Sequence, residues 1–258
     1  VWVLMSAFGA LPFVISGEIP AFADAFFEMV SGFTTTGSTI LNDVEALSHG
    51  ALFWRSFSHW VGGMGVLVFA MAVLPMTDGR AMHLMRAEVP GPTCGKLSSK
   101  LSDSAKILYS IYFAMTALEV VLLCAGGMSL YDSLIHSFGT AGTGGFSNRA
   151  LSIGAYQNPY FEWVIGVFML LFGINFNLYY FILMRHFREA FGSEELRAYL
   201  GIVLFSTVTI AANILSMAGS VGEAVRTAFF QVSSIITTTG YATADFDLWP
   251  TYSRILLL

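Results

Sequence analysis

The sequence predicts an all-α polytopic membrane protein, built from tandem units of long helix, pore-type short helix, filter-type threonine/glycine loop and long helix around a pseudo-symmetric axis. Three observations predict it. Of 258 residues, 55% are hydrophobic and only 11% charged, with mean hydropathy +0.69, whereas a soluble domain carries about 25% charged residues. Four apolar runs, 51–75, 107–126, 161–184 and 196–218, approach or exceed the ~20 residues that cross ~30 Å of hydrocarbon. Finally, Phe33-Thr34-Thr35-Thr36-Gly37 returns as Ile236-Thr237-Thr238-Thr239-Gly240, with a looser copy at Gly142-Thr143-Gly144-Gly145-Phe146-Ser147. Gly37, Gly145 and Gly240 are spaced by 108 and 95 residues, so one unit is used three times.

The units divide the chain into a first repeat, 1–75, with a truncated leading helix; a cytoplasmic linker, 76–104; a second repeat, 105–184; a cytoplasmic linker, 185–195; and a third repeat, 196–258, with a truncated exit helix. Apolar sequence at both ends leads us to expect a fragment of a longer protein. Net charge is −5, but its distribution is more informative. Arg80, Arg86, Lys96, Lys100 and Lys106 crowd the stretch from Met76 to Lys106 and Arg188 the second linker, while the segments with the turns hold Arg55, Arg149, Arg226 and Arg254. The positive-inside rule places the basic linkers in the cytoplasm and the turns toward the outside, which accounts for the basic residues without a nucleic-acid partner. Cys94 and Cys124 fall on opposite sides in this scheme, so neither a disulfide nor a cysteine metal site is expected.

Residues 1–15 form the end of a spanning helix. Pro20 suits the start of the first short helix, with Asp24 and Glu28 in its early turns. A helix over 20–33 is too short to cross; it must dip and return, which is tolerated only where the backbone is buried in protein or lines a wet cavity. At its inner end Thr34-Thr35-Thr36-Gly37 can turn carbonyl oxygens toward an axis, where they replace the water around a cation. A single such turn is equally a glycine C-cap; three, each after a non-spanning helix, point to convergence. Trp54 and Trp60 belong at interface depth. The glycines of His59-Trp60-Val61-Gly62-Gly63-Met64-Gly65 favour tight packing, and His59 is expected to be a hydrogen-bonded interfacial residue, not a metal ligand. Arg86-Ala87-Glu88-Val89-Pro90-Gly91-Pro92 reads either as a solvated connector or as a docking surface.

In the second unit Glu119 lies within a span and is expected to reach the interface or pair with a neighbouring helix. Asp132 matches Asp24 across 108 residues and complements a helix N-terminus. The second turn lacks the Lys-Ser/Thr of a phosphate loop. Gly173 and Asn177 should share a face of the exit helix, lining a wet path or bonding a neighbour, with Asn175 beside them. In the third unit Asn213 lies within a span, Gln231 matches Glu28, and Asp245 and Asp247 could concentrate cations.

Together Phe33-Thr34-Thr35-Thr36-Gly37-Ser38, His59-Trp60-Val61-Gly62-Gly63-Met64-Gly65, Arg86-Ala87-Glu88-Val89-Pro90-Gly91-Pro92, Gly144-Gly145-Phe146-Ser147 and Thr238-Thr239-Gly240-Tyr241 resemble the Trk/Ktr/HKT potassium transporters over the whole chain. The resemblance implies four repeats around one pore, potassium uptake in the bacterial inner membrane, a homodimer in the lipid bilayer and a cytoplasmic nucleotide-binding regulatory subunit. It implies a filter of Thr35, Thr36 and Gly37, Thr143, Gly144 and Gly145, and Thr238, Thr239 and Gly240. Potassium would be the substrate, with no covalently bound cofactor and no transition-metal site. Relatives that prefer sodium often carry serine at the first-repeat glycine, so Gly37 favours potassium. A fourth pore loop and a gate loop in the third exit helix, both expected from the family, are absent from this sequence. The alternatives are a less selective sodium/potassium pathway, an alternating-access carrier and a membrane enzyme. The last finds only the scattered His49, His59, His83, His136 and His186, with no convergent catalytic set.

Overall fold

A computed structural model describes residues 1–65 and 101–257. The secondary structure among them is helical: α1 Trp2–Ser16, α2 Phe22–Phe33, α3 His49–Gly63, α4 Leu101–Ala125, α5 Leu130–Ala141, α6 Pro159–Gly173, α7 Phe176–Leu183, α8 Phe187–Phe191, α9 Glu194–Ile214, α10 Val221–Ile236 and α11 Thr251–Leu257. Two 3₁₀ turns, Ser152–Tyr156 and Phe246–Leu248, lie in the loops after the second and third repeated turns. The 76–104 linker lies largely outside the described residues, as do Cys94 and the 86–92 motif; so does the second half of the 51–75 run.

The three short helices occur where expected, as α2, α5 and α10. Pro20 does not open the first, which starts at Phe22 with Ala21 as its N-cap. Ser129 and Ser220 cap the other two by accepting from the N–H groups of Asp132 and Glu223, satisfying donors that a helix start leaves open. Asp24, Asp132 and Glu223 occupy the first turns, where a carboxylate meets the positive end of the dipole.

Packing repeats with the units. Each short helix lies against its own leading helix, α1 on α2, α4 on α5 and α9 on α10. Each exit helix then packs on the next unit's short helix, α3 on α5 and α6 on α10. This staggered contact stacks successive units side by side and carries each turn to its neighbour. In lipid such contacts rest on close packing and hydrogen bonds between helices. The indole N–H of Trp54 accordingly donates to the Gly9 carbonyl at 2.9 Å, and that of Trp60 to Thr116 Oγ1 at 3.1 Å.

Residues 105–125 and 194–214 form helices long and apolar enough to cross a membrane. The expected continuous span over 161–184 does not form: α6 and α7 meet at a 90° break. Asn175 caps α7 by accepting from the Asn177 N–H at 3.1 Å, and the Ile174 amide turns back to Leu171 O at 3.3 Å. Tyr199 and Tyr179 donate hydroxyls to the Leu170 and Leu171 carbonyls at 3.2 and 2.6 Å, satisfying the last turn of α6. Hydropathy could not reveal the bend because both halves are apolar. Gly173 and Asn177 therefore do not share one helix face.

Candidate functional site

All nine candidate residues sit in three turns of one geometry. Thr35, Thr143 and Thr238 have φ of 55°, 52° and 58°, and two residues later Gly37, Gly145 and Gly240 have φ of 78°, 72° and 82°. Each turn is at the same time a helix cap, but threonine, not glycine, takes its left-handed position. In each copy the amide of Thr36, Gly144 or Thr239 reaches back to Ser31, Gly139 or Ser234 at 2.9–3.0 Å. The preceding amide bonds Gly32, Thr140 or Ile235 at 3.0–3.1 Å. This is the paired 6→1 and 5→2 pattern of a Schellman cap. A β-branched residue at positive φ is a backbone outlier, costing on the order of 1–3 kcal/mol, and here it recurs three times.

The consequence for chemistry lies in what the cap consumes. The N–H groups of the turn point back into the helix, while none of the described hydrogen bonds ends on the carbonyls of Thr35, Thr36, Thr143, Gly144, Thr238 or Thr239. The turns also sit at the C-terminal, partially negative ends of three short helices, a field that favours cations.

The structure brings these turns together. A Cβ on Gly37 would collide with the Gly144 carbonyl oxygen, and one on Gly145 with the Thr239 carbonyl. A Cβ on Gly240 would meet no atom of the described residues within 4 Å. Beneath the second and third turns a cavity of about 230 Å³ is lined by Thr143, Thr237 and Thr238, with Tyr112, Gly173 and Phe176. A larger cavity, about 450 Å³, lies elsewhere, between the loops after the second and third turns and the start of α10; Glu162, Arg226 and Asp245 line it. Its charges compensate each other in part, since Arg226 Nε donates to Glu162 at 2.9 Å. Asp245 caps the local 3₁₀ turn, accepting from the Asp247 N–H at 3.0 Å.

Behind the turns runs a buried polar frame that sequence reasoning missed. Arg55, counted with the outer-loop cations, is 2% exposed and paired through Nε with the fully buried Glu28. Glu28 also accepts from Thr39 Oγ1 at 2.9 Å and from the Ile40 amide at 3.1 Å, while Arg55 Nη1 donates to the Ser147 carbonyl at 3.2 Å. The second repeat copies the pattern with other chemistry: His136 Nε2 lies 3.0 Å from Ser147 Oγ. Glu28 and Thr39, like His136 and Ser147, are 11 residues apart, and these two pairs are offset by 108 residues, the interval between the first two turns. In the third repeat the corresponding residues are Gln231 and Ala242, and Gln231 Oε1, buried, has no hydrogen-bond partner. The repeat offset was the signal that could have found this frame. Tyr241 ties the third turn to the second, its hydroxyl donating to His136 O at 2.9 Å and Phe146 O at 3.2 Å.

One expectation is corrected and another narrowed. His59 is fully buried and stacked on Phe146 at 3.9 Å, with the Ser31 backbone as its polar neighbour; it is not an interfacial residue. Glu119 is fully buried, so it does not reach the interface; of the two alternatives it takes the other, facing the Thr140 hydroxyl of the neighbouring α5, and both α5 and α6 pack on its helix. Among the described residues no group of three or more His, Cys, Asp or Glu is placed to hold a metal ion.

A family model described as TrkH, cation transport protein, matches residues 1–258. The Trk system potassium uptake protein TrkH of Escherichia coli K12 is 38% identical over all of this chain and 54% of its own length; TrkG of the same strain is 36% identical with the same coverage. The crystal structure of the potassium transporter TrkH from Vibrio parahaemolyticus superposes with a TM-score of 0.83 at 31% identity, over 99% of this chain and 53% of that one. The chain thus spans about half the length of these relatives. With helices that fit a bilayer, a repeated helix–turn plan and a match along its full length, the chain belongs to the TrkH family of cation transport proteins, multi-pass membrane proteins that are not enzymes.

Proposed function

We propose that this chain supplies three carbonyl-bearing turns of a potassium pathway through the bacterial inner membrane. Thr35, Thr36 and Gly37, Thr143, Gly144 and Gly145, and Thr238, Thr239 and Gly240 form the selectivity filter. Potassium, the substrate, sheds part of its water to their main-chain oxygens and moves down its electrochemical gradient, with no covalent step. The observation that carries this reading is the contact of three identically wound turns whose amides are spent on helix caps and whose carbonyls meet no donor among the described residues. Oxygens held in this way can replace a hydration shell. A fourth turn, expected from the family resemblance, closes against Gly240, where a Cβ would meet no atom of the described residues within 4 Å. The complete protein works as a homodimer controlled by a cytoplasmic nucleotide-binding subunit.

Competition between potassium and sodium in uptake by the complete protein tests the reading. Gly37→Ser is expected to lower the preference for potassium. An unchanged preference overturns the filter assignment, and a wild-type protein with little preference favours the mixed sodium/potassium pathway.

A further inference from the structure

The second turn differs from the other two in how its back is filled. In the first, Thr34 and Thr36 join hydroxyls at 2.8 Å, and Thr34 Oγ1 donates to Val30 O at 2.7 Å. In the third, Thr237 and Thr239 do the same, with Thr237 Oγ1 donating to Ser233 O. The matching positions of the second turn are Gly142 and Gly144, with no side chains to bridge. The space belongs to α3 instead. A Cβ on Gly144 would strike Cε1, Nδ1 and Cγ of His59, and one on Gly142 the His59 backbone. The same imidazole stacks on Phe146, two residues beyond Gly144, with planes 17° apart, and the Arg55 guanidinium lies 3.4 Å from the Phe146 ring centre.

We propose that His59 is a positioning residue for ion selection, its imidazole bracing the second turn from behind in place of the threonine pair that braces the other two. This rests on the filter assignment above. The brace acts on Gly144, whose carbonyl meets Gly37, so slack there is passed to the first turn. A flat ring is what the site requires, since it fits between Phe146, on which it stacks, and Gly144, whose Cβ would strike it.

The test measures the potassium-over-sodium uptake ratio of the complete protein at matched membrane levels. His59→Ala and Gly144→Ala are each expected to lower the ratio about tenfold, equivalent to about 1.4 kcal/mol, the first by slack and the second by collision with the ring. Gly144 has no positive φ, so alanine there is a purely spatial change. Combining the two should recover part of the ratio lost in Gly144→Ala, whereas independent defects would multiply. His59→Phe should stay within about twofold of wild type, because it keeps the flat ring that stacks on Phe146. Multiplying losses, an unchanged ratio in His59→Ala, or a loss in His59→Phe equal to that in His59→Ala overturns the brace. If His59→Ala does not reach the membrane, His59→Val replaces it in the same comparisons. Gly37→Ser run in parallel separates the two levels: a ratio moved by Gly37→Ser but not by His59→Ala removes only the brace, and one moved by neither removes the filter.

Discussion

The carbonyl oxygen of Gly144 occupies the place where a side chain on Gly37 would begin, so the first two repeated turns meet backbone to backbone. Gly37 is thus constrained twice, by its φ of 78° and by its neighbour. Gly17 shares the dihedral, at 77°, but has open space around it. We expect Gly17→Ala to cost about 1 kcal/mol of stability, the conformational cost alone, with uptake preserved. Gly37→Ala should abolish potassium preference. Gly240→Ala in the complete protein should behave like Gly37→Ala if a fourth turn packs there, and like Gly17→Ala if none does.

Arg55→Leu should destabilise the protein by about 3–5 kcal/mol, because it strands the buried Glu28 charge. Glu28→Leu combined with Arg55→Leu should recover part of the loss, since no unpaired charge remains. Thermal unfolding of the detergent-solubilised complete protein would show this as a double-variant midpoint above that of Arg55→Leu.

Tyr241→Phe removes the donor to two buried carbonyls, those of His136 and Phe146. A loss of about 1–3 kcal/mol is expected, read as a lower unfolding midpoint. The Phe146 carbonyl suffers more, because His136 O keeps the Thr140 hydroxyl at 2.8 Å.

At the break between α6 and α7, a Cβ on Gly173 would come within 2.8 Å of both Thr237 Cγ2 and the Tyr199 hydroxyl. Gly173→Ala is therefore expected to push on the third turn and reduce potassium uptake. Asn175→Ala should weaken the cap of α7 by about 1 kcal/mol and remove the 3.4 Å bond from Asn175 Nδ2 to Glu195, with uptake preserved. Uptake by both variants at equal expression checks the contrast.

Much of this was legible without coordinates. Long apolar runs have few ways to sit in lipid, and the short helices ended where the repeated threonines and glycines begin, so the boundaries of α5 and α10 and the site of the three turns followed from the chain alone. The frame behind them did not. Arg55 and Glu28 are 27 residues apart, and a count of charges treats a buried arginine and a solvated one alike.

By itself, then, the sequence determined the helical membrane architecture, the threefold use of one unit and the residues of the candidate turns, because hydrophobic length and repetition are properties of the chain read in one dimension. Only the tertiary structure decided that threonine takes the left-handed cap position, that the 161–184 run bends by 90°, and that His59 fills the back of the second turn. Each of these depends on which groups distant segments bring within reach, and a run of apolar letters carries no such direction.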